Sequence, residues 1–294
     1  MTATRPTPHE SFSTTTGSIV REYAPTDVHA EKPLLVLLHG IGSGANHWGT
    51  LPEKIGRHIF TIDVRLNDTV RNRRPPSMGA YAHAVETTVD DIIGDDQIDL
   101  LGLSLGGVLA QEIAIRQERR GAKKRLAKLA LVATIPGYYI EQPRHRTLAA
   151  MQAADRDPSL LNTTSGTIFG GDFIDNPELA EILGLASDIN LATNKQQLDA
   201  LMSYMGTHPK QPLSIHGFMS FFNKDPLSDI TIPTLVMGGN PDPTTPIENS
   251  RAIHKAIPNS ELVEFEDGGH LFALTRPTQT AAYVNRFLDR GRVR

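Results

Sequence analysis

The clearest apolar run in the chain is Leu34-Leu35-Val36-Leu37-Leu38, directly after Pro33. A run without polar interruption suits a strand covered on both faces, as in a mainly parallel sheet. Strand-like runs recur at Ile59–Val64, Ile98–Leu103, Leu126–Ala133, Thr234–Gly238 and Glu261–Glu266, and Ser18–Tyr23 reads as a first strand. Between them lie helical patterns. Over Met78–Ile93, Tyr81, Val85, Val89 and Ile92 fall at i, i+4, i+8 and i+11, which stacks them on one helix face. Further helices are expected over 105–120, 247–257 and 277–288. Strands alternating with helices predict an α/β fold with a mainly parallel central sheet flanked by helices.

The rhythm changes between residues 137 and 230, where strand-like runs are few and helical ones several. This stretch is read as a mostly helical lid inserted over the sheet. The expected organisation is a flexible N-terminal tail over 1–16, a core from 17–136 and 231–294, and the lid over 137–230.

Composition narrows the classes. Apolar residues make up 39% of the 294 and charged residues 21%, the profile of a globule able to bury a core. A net charge of -4 gives no footprint for a nucleic-acid partner. With no cysteine, disulfides, thiolate chemistry and cysteine metal sites are excluded. No apolar stretch reaches membrane-spanning length, and residues 1–17 lack the apolar middle of a secretory signal, so a cytoplasmic protein without a transmembrane segment is expected.

The sharpest motif is Gly102-Leu103-Ser104-Leu105-Gly106, set between a strand and a helix. That context gives the G-x-S-x-G pattern its meaning: the serine projects from a strained turn, and glycines remove side chains that would crowd it. Ser104 is the candidate nucleophile, with a simple helix cap as the alternative. The Leu105 N–H, at the start of the new helix, is a candidate oxyanion donor. His39-Gly40-Ile41-Gly42 ends an early strand, and its Ile41 N–H is the candidate second donor. His39 is read as holding that loop rather than as the base. A phosphate-binding loop does not fit, because the required lysine is missing.

The base must follow the serine and the acid in chain order. His270, behind Gly268 and Gly269 in a loop after a strand candidate, is the choice; the alternative is a cap for the last helix. The acid is Asp242, in the proline-stiffened Asn240-Pro241-Asp242-Pro243 loop, where a plain turn former is the alternative. Phe218, Met219, Phe221 and Phe222 are candidates for an apolar acyl pocket, or else lid core. Arg71, Arg73 and Arg74 read either as a solvated basic loop or as contacts for an acidic substrate group. No metal or organic cofactor is expected.

His39-Gly40, Gly102–Gly107, the Asp242 loop and Gly269-His270 together resemble the α/β-hydrolase superfamily. Within it, His39-Gly40-Ile41-Gly42-Ser43, Ile168-Phe169-Gly170-Gly171-Asp172, and the stretch from Ile232 to Phe272 are similar to the intracellular polyhydroxyalkanoate depolymerases. That resemblance implies an ester-cleaving triad of Ser104, Asp242 and His270 and a polyester substrate, with the granule surface as partner. This chain has His39 where such proteins often carry asparagine, and Leu105 where they commonly carry tryptophan. Small-molecule carboxylesterase, lactonase or thioesterase activity, or a non-catalytic binding protein on the same fold, stand as alternatives.

Overall fold

The computed structural model describes residues 9–12, 15–26, 32–41, 43–63, 77–120, 125–137, 143, 145–157, 160, 166–170, 197, 200 and 226–290. Eight strands form one sheet: β1 (His9–Phe12), β2 (Ile19–Tyr23), β3 (Leu35–Leu38), β4 (Ile59–Ile62), β5 (Ile98–Leu103), β6 (Leu126–Val132), β7 (Thr234–Asn240) and β8 (Ser260–Glu266). Their order across the sheet is β1-β2-β4-β3-β5-β6-β7-β8. β1 pairs antiparallel with β2, and β2 antiparallel with β4; every other neighbouring pair is parallel. The fold is therefore α/β with a mainly parallel sheet.

Among the described residues, the main helical elements are α1 (Leu51–Ile55), α2 (Met78–Ile93), α3 (Leu105–Arg120), α4 (His145–Arg156), α5 (Ile247–Ala256), α6 (Phe272–Thr275) and α7 (Pro277–Asp289). The continuous apolar runs are explained by two cores, one on each sheet face. Side chains alternate across a strand, so Val36, Leu38, Leu100, Leu129 and Val236 join one core with Tyr81 and Val85 of α2, Val108 and Leu109 of α3, and Ile253 of α5. Leu35, Leu37, Leu101, Ala130, Leu235 and Met237 join the other with Leu51 of α1 and Val284 and Phe287 of α7. Leu37 is fully buried, and its truncation to alanine should cost about 2–5 kcal/mol.

Polar side chains close the helix ends. Ser77 accepts the Ala80 N–H at 3.2 Å at the start of α2. Gly56, at φ 69°, ends α1 in the left-handed conformation, where a glycine carries no Cβ penalty. Lys128 of β6 buries its ammonium at the end of α7, donating to the Phe287 and Leu288 carbonyls at 3.0 Å each.

The chain between β6 and β7 holds the helical insertion. Its described parts are α4, a helical turn over 166–169, single residues nearby and a 3-10 turn at Pro226–Asp229. Two short elements escape the apolar pattern. β1 lies within the stretch read as a tail, because its sequence, HESF, is short and polar. α1 spans only five residues, too few to display a helical period. Among the described residues, no helix is long and apolar enough to cross a membrane.

Candidate active site

Strand order reverses at β3: the chain passes to β4 on one side, then returns to place β5 on the other. In parallel sheets the crevice beyond the strand ends at such a reversal is where ligands bind. Ser104 sits there, immediately after β5. Its φ of 54° is a left-handed value that a residue with a Cβ adopts at a cost of about 1–3 kcal/mol. Several contacts hold it. The Ser104 N–H donates to the Val132 carbonyl at 2.9 Å, and the Ser104 carbonyl accepts from the Gly107 N–H at 2.9 Å and the Thr134 hydroxyl at 2.7 Å. The glycines are sterically required. A Cβ on Gly102 would strike the Gly106 carbonyl, one on Gly106 the Leu38 carbonyl, and one on Gly107 would lie 2.6 Å from the Thr134 Cβ.

The β7 and β8 loops bring the other two groups. His270 Nε2 lies 3.1 Å from Ser104 Oγ, and His270 Nδ1 lies 2.9 Å from Asp242 Oδ2. His270 and Asp242 are both buried, at 4% exposure each. Since a carboxylate only accepts, Nδ1 carries the proton and Nε2 presents its lone pair to the serine hydroxyl. Asp242 is held at both oxygens. Oδ1 accepts the Thr244 and Thr245 N–H groups at 2.7 and 2.8 Å, and Oδ2 accepts the Thr245 hydroxyl at 2.7 Å beside His270. The aspartate is thus a turn former and the imidazole's partner at once. Ser104 likewise opens α3 through its carbonyl while its hydroxyl faces His270.

A second histidine lies at the reversal. His39 Nδ1 donates to the Gly40 carbonyl at 2.7 Å, and its Nε2 lies 3.5 Å from Asp63 Oδ1. This places His39 inside the loop it was expected to hold. Gly40 passes close to the serine: a Cβ there would stand 3.3 Å from the Ser104 Cβ. Ile41 is the next residue, half-buried against the first core. Leu105 is the first residue of α3, where helix geometry gives its N–H no intrahelical acceptor. Burial, then the neighbouring His39, lowers the pKa of His47 to about 4.

The structure therefore brings Ser104, His270 and Asp242 into hydrogen-bonding contact, with Leu105 next to the serine in sequence and Ile41 next to Gly40. Phe218, Met219, Phe221 and Phe222 lie outside the described residues, as do Arg71, Arg73 and Arg74. Three contributors carry too weak a sequence signal to be singled out from the motif alone. Thr244 and Thr245 hold the acid, and the clue to them is that an aspartate bonds backbone N–H groups two or three residues on. Thr134 holds the serine turn from a different strand end, which no local pattern encodes.

The chain as a whole is similar to known proteins. A poly(3-hydroxyalkanoate) depolymerase from Ectopseudomonas oleovorans is 32% identical over 206 residues, covering 69% of this chain but only 65% of that protein's length. A 2-hydroxy-6-oxononadienedioate/2-hydroxy-6-oxononatrienedioate hydrolase from Klebsiella pneumoniae is 27% identical over 252 residues, covering 81% of each chain. Among solved structures, the 2-hydroxy-6-oxo-6-phenylhexa-2,4-dienoate hydrolase from Rhodococcus sp. strain RHA1 superposes with a TM-score of 0.72 at 17% identity, over 96% of this chain and 98% of that one. The arrangement of serine, histidine and aspartate is that of a serine-dependent hydrolytic enzyme. With the profile of that family matched over residues 35–283, from β3 into α7, the chain belongs to the alpha/beta hydrolase family.

Proposed function

We propose that this enzyme cleaves small carboxylic esters or lactones by two-step acyl transfer, with Ser104 as nucleophile, His270 as general base and Asp242 as the group that orients the imidazole. The observation that carries the reading is the continuous chain of contacts from Ser104 Oγ through both ring nitrogens of His270 to Asp242 Oδ2. His270 Nε2 takes the serine proton as Oγ bonds to the ester carbonyl carbon. The carbonyl π electrons move onto oxygen, and the Leu105 and Ile41 N–H groups face that charge. Collapse expels the alcohol oxygen, which takes the proton from Nε2. Water then attacks the acyl-enzyme, giving its proton to His270, and the acid departs as Ser104 is reprotonated. Asp242 remains ionised throughout and steadies the imidazolium.

An ester with an apolar acyl part is the substrate class, and the relatives are hydrolases of varied substrates rather than of one polymer. Polyester depolymerisation is the second reading; what favours it is the identity to the Ectopseudomonas protein. One experiment separates the readings. Purified protein is treated with a fluorophosphonate probe, then given p-nitrophenyl esters of increasing chain length, a lactone panel and a polyhydroxyalkanoate suspension. Labelling at Ser104 with turnover of short esters or lactones and an intact polymer supports the main reading. Release of hydroxy acids from the suspension moves the assignment to the depolymerase. Folded protein that takes no label at Ser104 overturns both and favours a binding role.

A further inference from the structure

We propose that Phe169, in the insertion, is a positioning residue for His270, and that the turn carrying it fastens the described part of the insertion around α4 to the loops of His270 and Asp242; this rests on the acyl-transfer reading above. The turn over 166–169 is helical, with the Gly170 N–H closing on the Gly166 carbonyl at 3.1 Å. The last carbonyls of a helical turn have no partner within it and need donors from elsewhere. Here three successive carbonyls find donors in three different elements. Thr167 accepts the Thr147 hydroxyl of α4 at 3.2 Å, Ile168 accepts the Thr244 hydroxyl of the acid loop, and Phe169 accepts the His270 N–H at 2.7 Å.

Glycines make the approach possible. Gly170 has a φ of 98°, and a Cβ there would lie 3.1 Å from the Gly269 Cα. A Cβ on Gly269 would strike the Phe169 carbonyl. Backbone therefore meets backbone directly on the histidine loop. The Phe169 ring adds a second hold: it lies nearly parallel to the His270 imidazole, 14° between planes and 6.3 Å between centroids. On the lid side, Ile168 and Ala150 form a small apolar cluster, separate from both sheet cores, against which Phe169 also packs. The turn is thus anchored in the insertion and grips the base by backbone and ring, while its neighbour grips the loop of the acid.

The consequence is kinetic. The imidazole must hold Nε2 in line with Ser104 Oγ, and misplacement of about 1 Å costs on the order of 100-fold. The test compares Phe169→Leu, Phe169→Tyr and Thr244→Val with wild type, measuring kcat and KM on a short ester, the labelling rate of Ser104 by a fluorophosphonate, and the thermal midpoint. Phe169→Leu should lower kcat and labelling together by roughly 10- to 100-fold with KM within about twofold. Phe169→Tyr, which keeps the ring, should restore both. Thr244→Val keeps the backbone N–H on Asp242 but frees the Ile168 carbonyl, and should also lower kcat at constant KM. A raised KM at unchanged kcat would make Phe169 a pocket wall and overturn the proposal. So would a lowered midpoint with wild-type kcat and labelling at a temperature where the variant is folded. Wild-type protein that neither labels nor turns over esters would remove the acyl-transfer reading itself, and the proposal with it.

Discussion

Two histidine–aspartate pairs sit on the C-terminal edge of the sheet, on opposite sides of β5. His39 and Asp63 follow β3 and β4; His270 and Asp242 lie in the loops after β8 and β7. Each pair comes from the ends of two adjacent parallel strands, and all four side chains are buried. Burial and composition do not tell the pairs apart. The second ring nitrogen does. In His270 the aspartate takes Nδ1 at 2.9 Å and leaves Nε2 aimed at Ser104. In His39, Nδ1 is spent on the Gly40 carbonyl and Nε2 faces Asp63 at 3.5 Å, so the ring is turned inward on its own loop. A general base needs a lone pair within reach of the proton it takes. Only the β7–β8 pair offers one to the serine, while the β3–β4 pair shapes the backbone beside it.

Variants can break this contrast, and the largest effects should come from the aimed pair. Ser104→Ala or His270→Gln should lower kcat by about 10⁶-fold, by analogy with other serine hydrolases, with the circular dichroism spectrum unchanged. Retention of more than a hundredth of the activity in either would assign the chemistry elsewhere. Asp242→Asn should follow, at about 10⁴-fold, because an amide can present its N–H to Nδ1 and so favour the tautomer with the proton on the wrong nitrogen. His39→Asn removes an inward-turned ring. It should cost less than about tenfold in kcat while lowering unfolding stability by roughly 1–3 kcal/mol, the price of a buried group left without its partner. A loss as large as that of His270→Gln would erase the distinction between the pairs.

The same contrast explains what could be read from the chain. Strands β5 and β7 are legible because their central positions are buried on both faces, so the apolar run is unbroken. α2 shows its period because only one face is buried. Ser104 and His270 announce themselves because the glycines beside them make room for backbone lying across the fold, such as the Leu38 carbonyl against Gly106. His39 has a glycine beside it as well, yet which way its ring turns depends on Asp63, twenty-four residues away and brought near only by the pairing of β3 with β4. The Thr244 and Thr134 hydroxyls and the Phe169 carbonyl make hydrogen bonds to residues 30 to 101 positions distant, and no local pattern carries such contacts. Local strain leaves a mark in sequence, whereas long-range orientation does not.

The smallest expected effect sharpens the comparison from the β3–β4 side. His47 stands near His39 and Asp63, and among the described residues neither of its ring nitrogens has a hydrogen-bond partner. Its pKa is lowered from 6.5 to about 4, by burial first and then by His39, with Asp63 opposing. The ring is therefore neutral in the folded protein over a range where the unfolded chain binds a proton. Between pH 6.5 and 4 the unfolded state holds more protons, so stability from this site is complete above pH 6.5 and declines as the pH falls toward 4. After allowance for solvent screening the loss should be on the order of 1–2 kcal/mol. In urea unfolding of wild type and His47→Asn from pH 7.5 to 4.5, the wild type should lose stability relative to the variant as the pH falls, because the variant has no proton to take up there. Parallel curves would mean that the imidazole titrates alike in both states, and that the β3–β4 side is more open to water than its burial indicates.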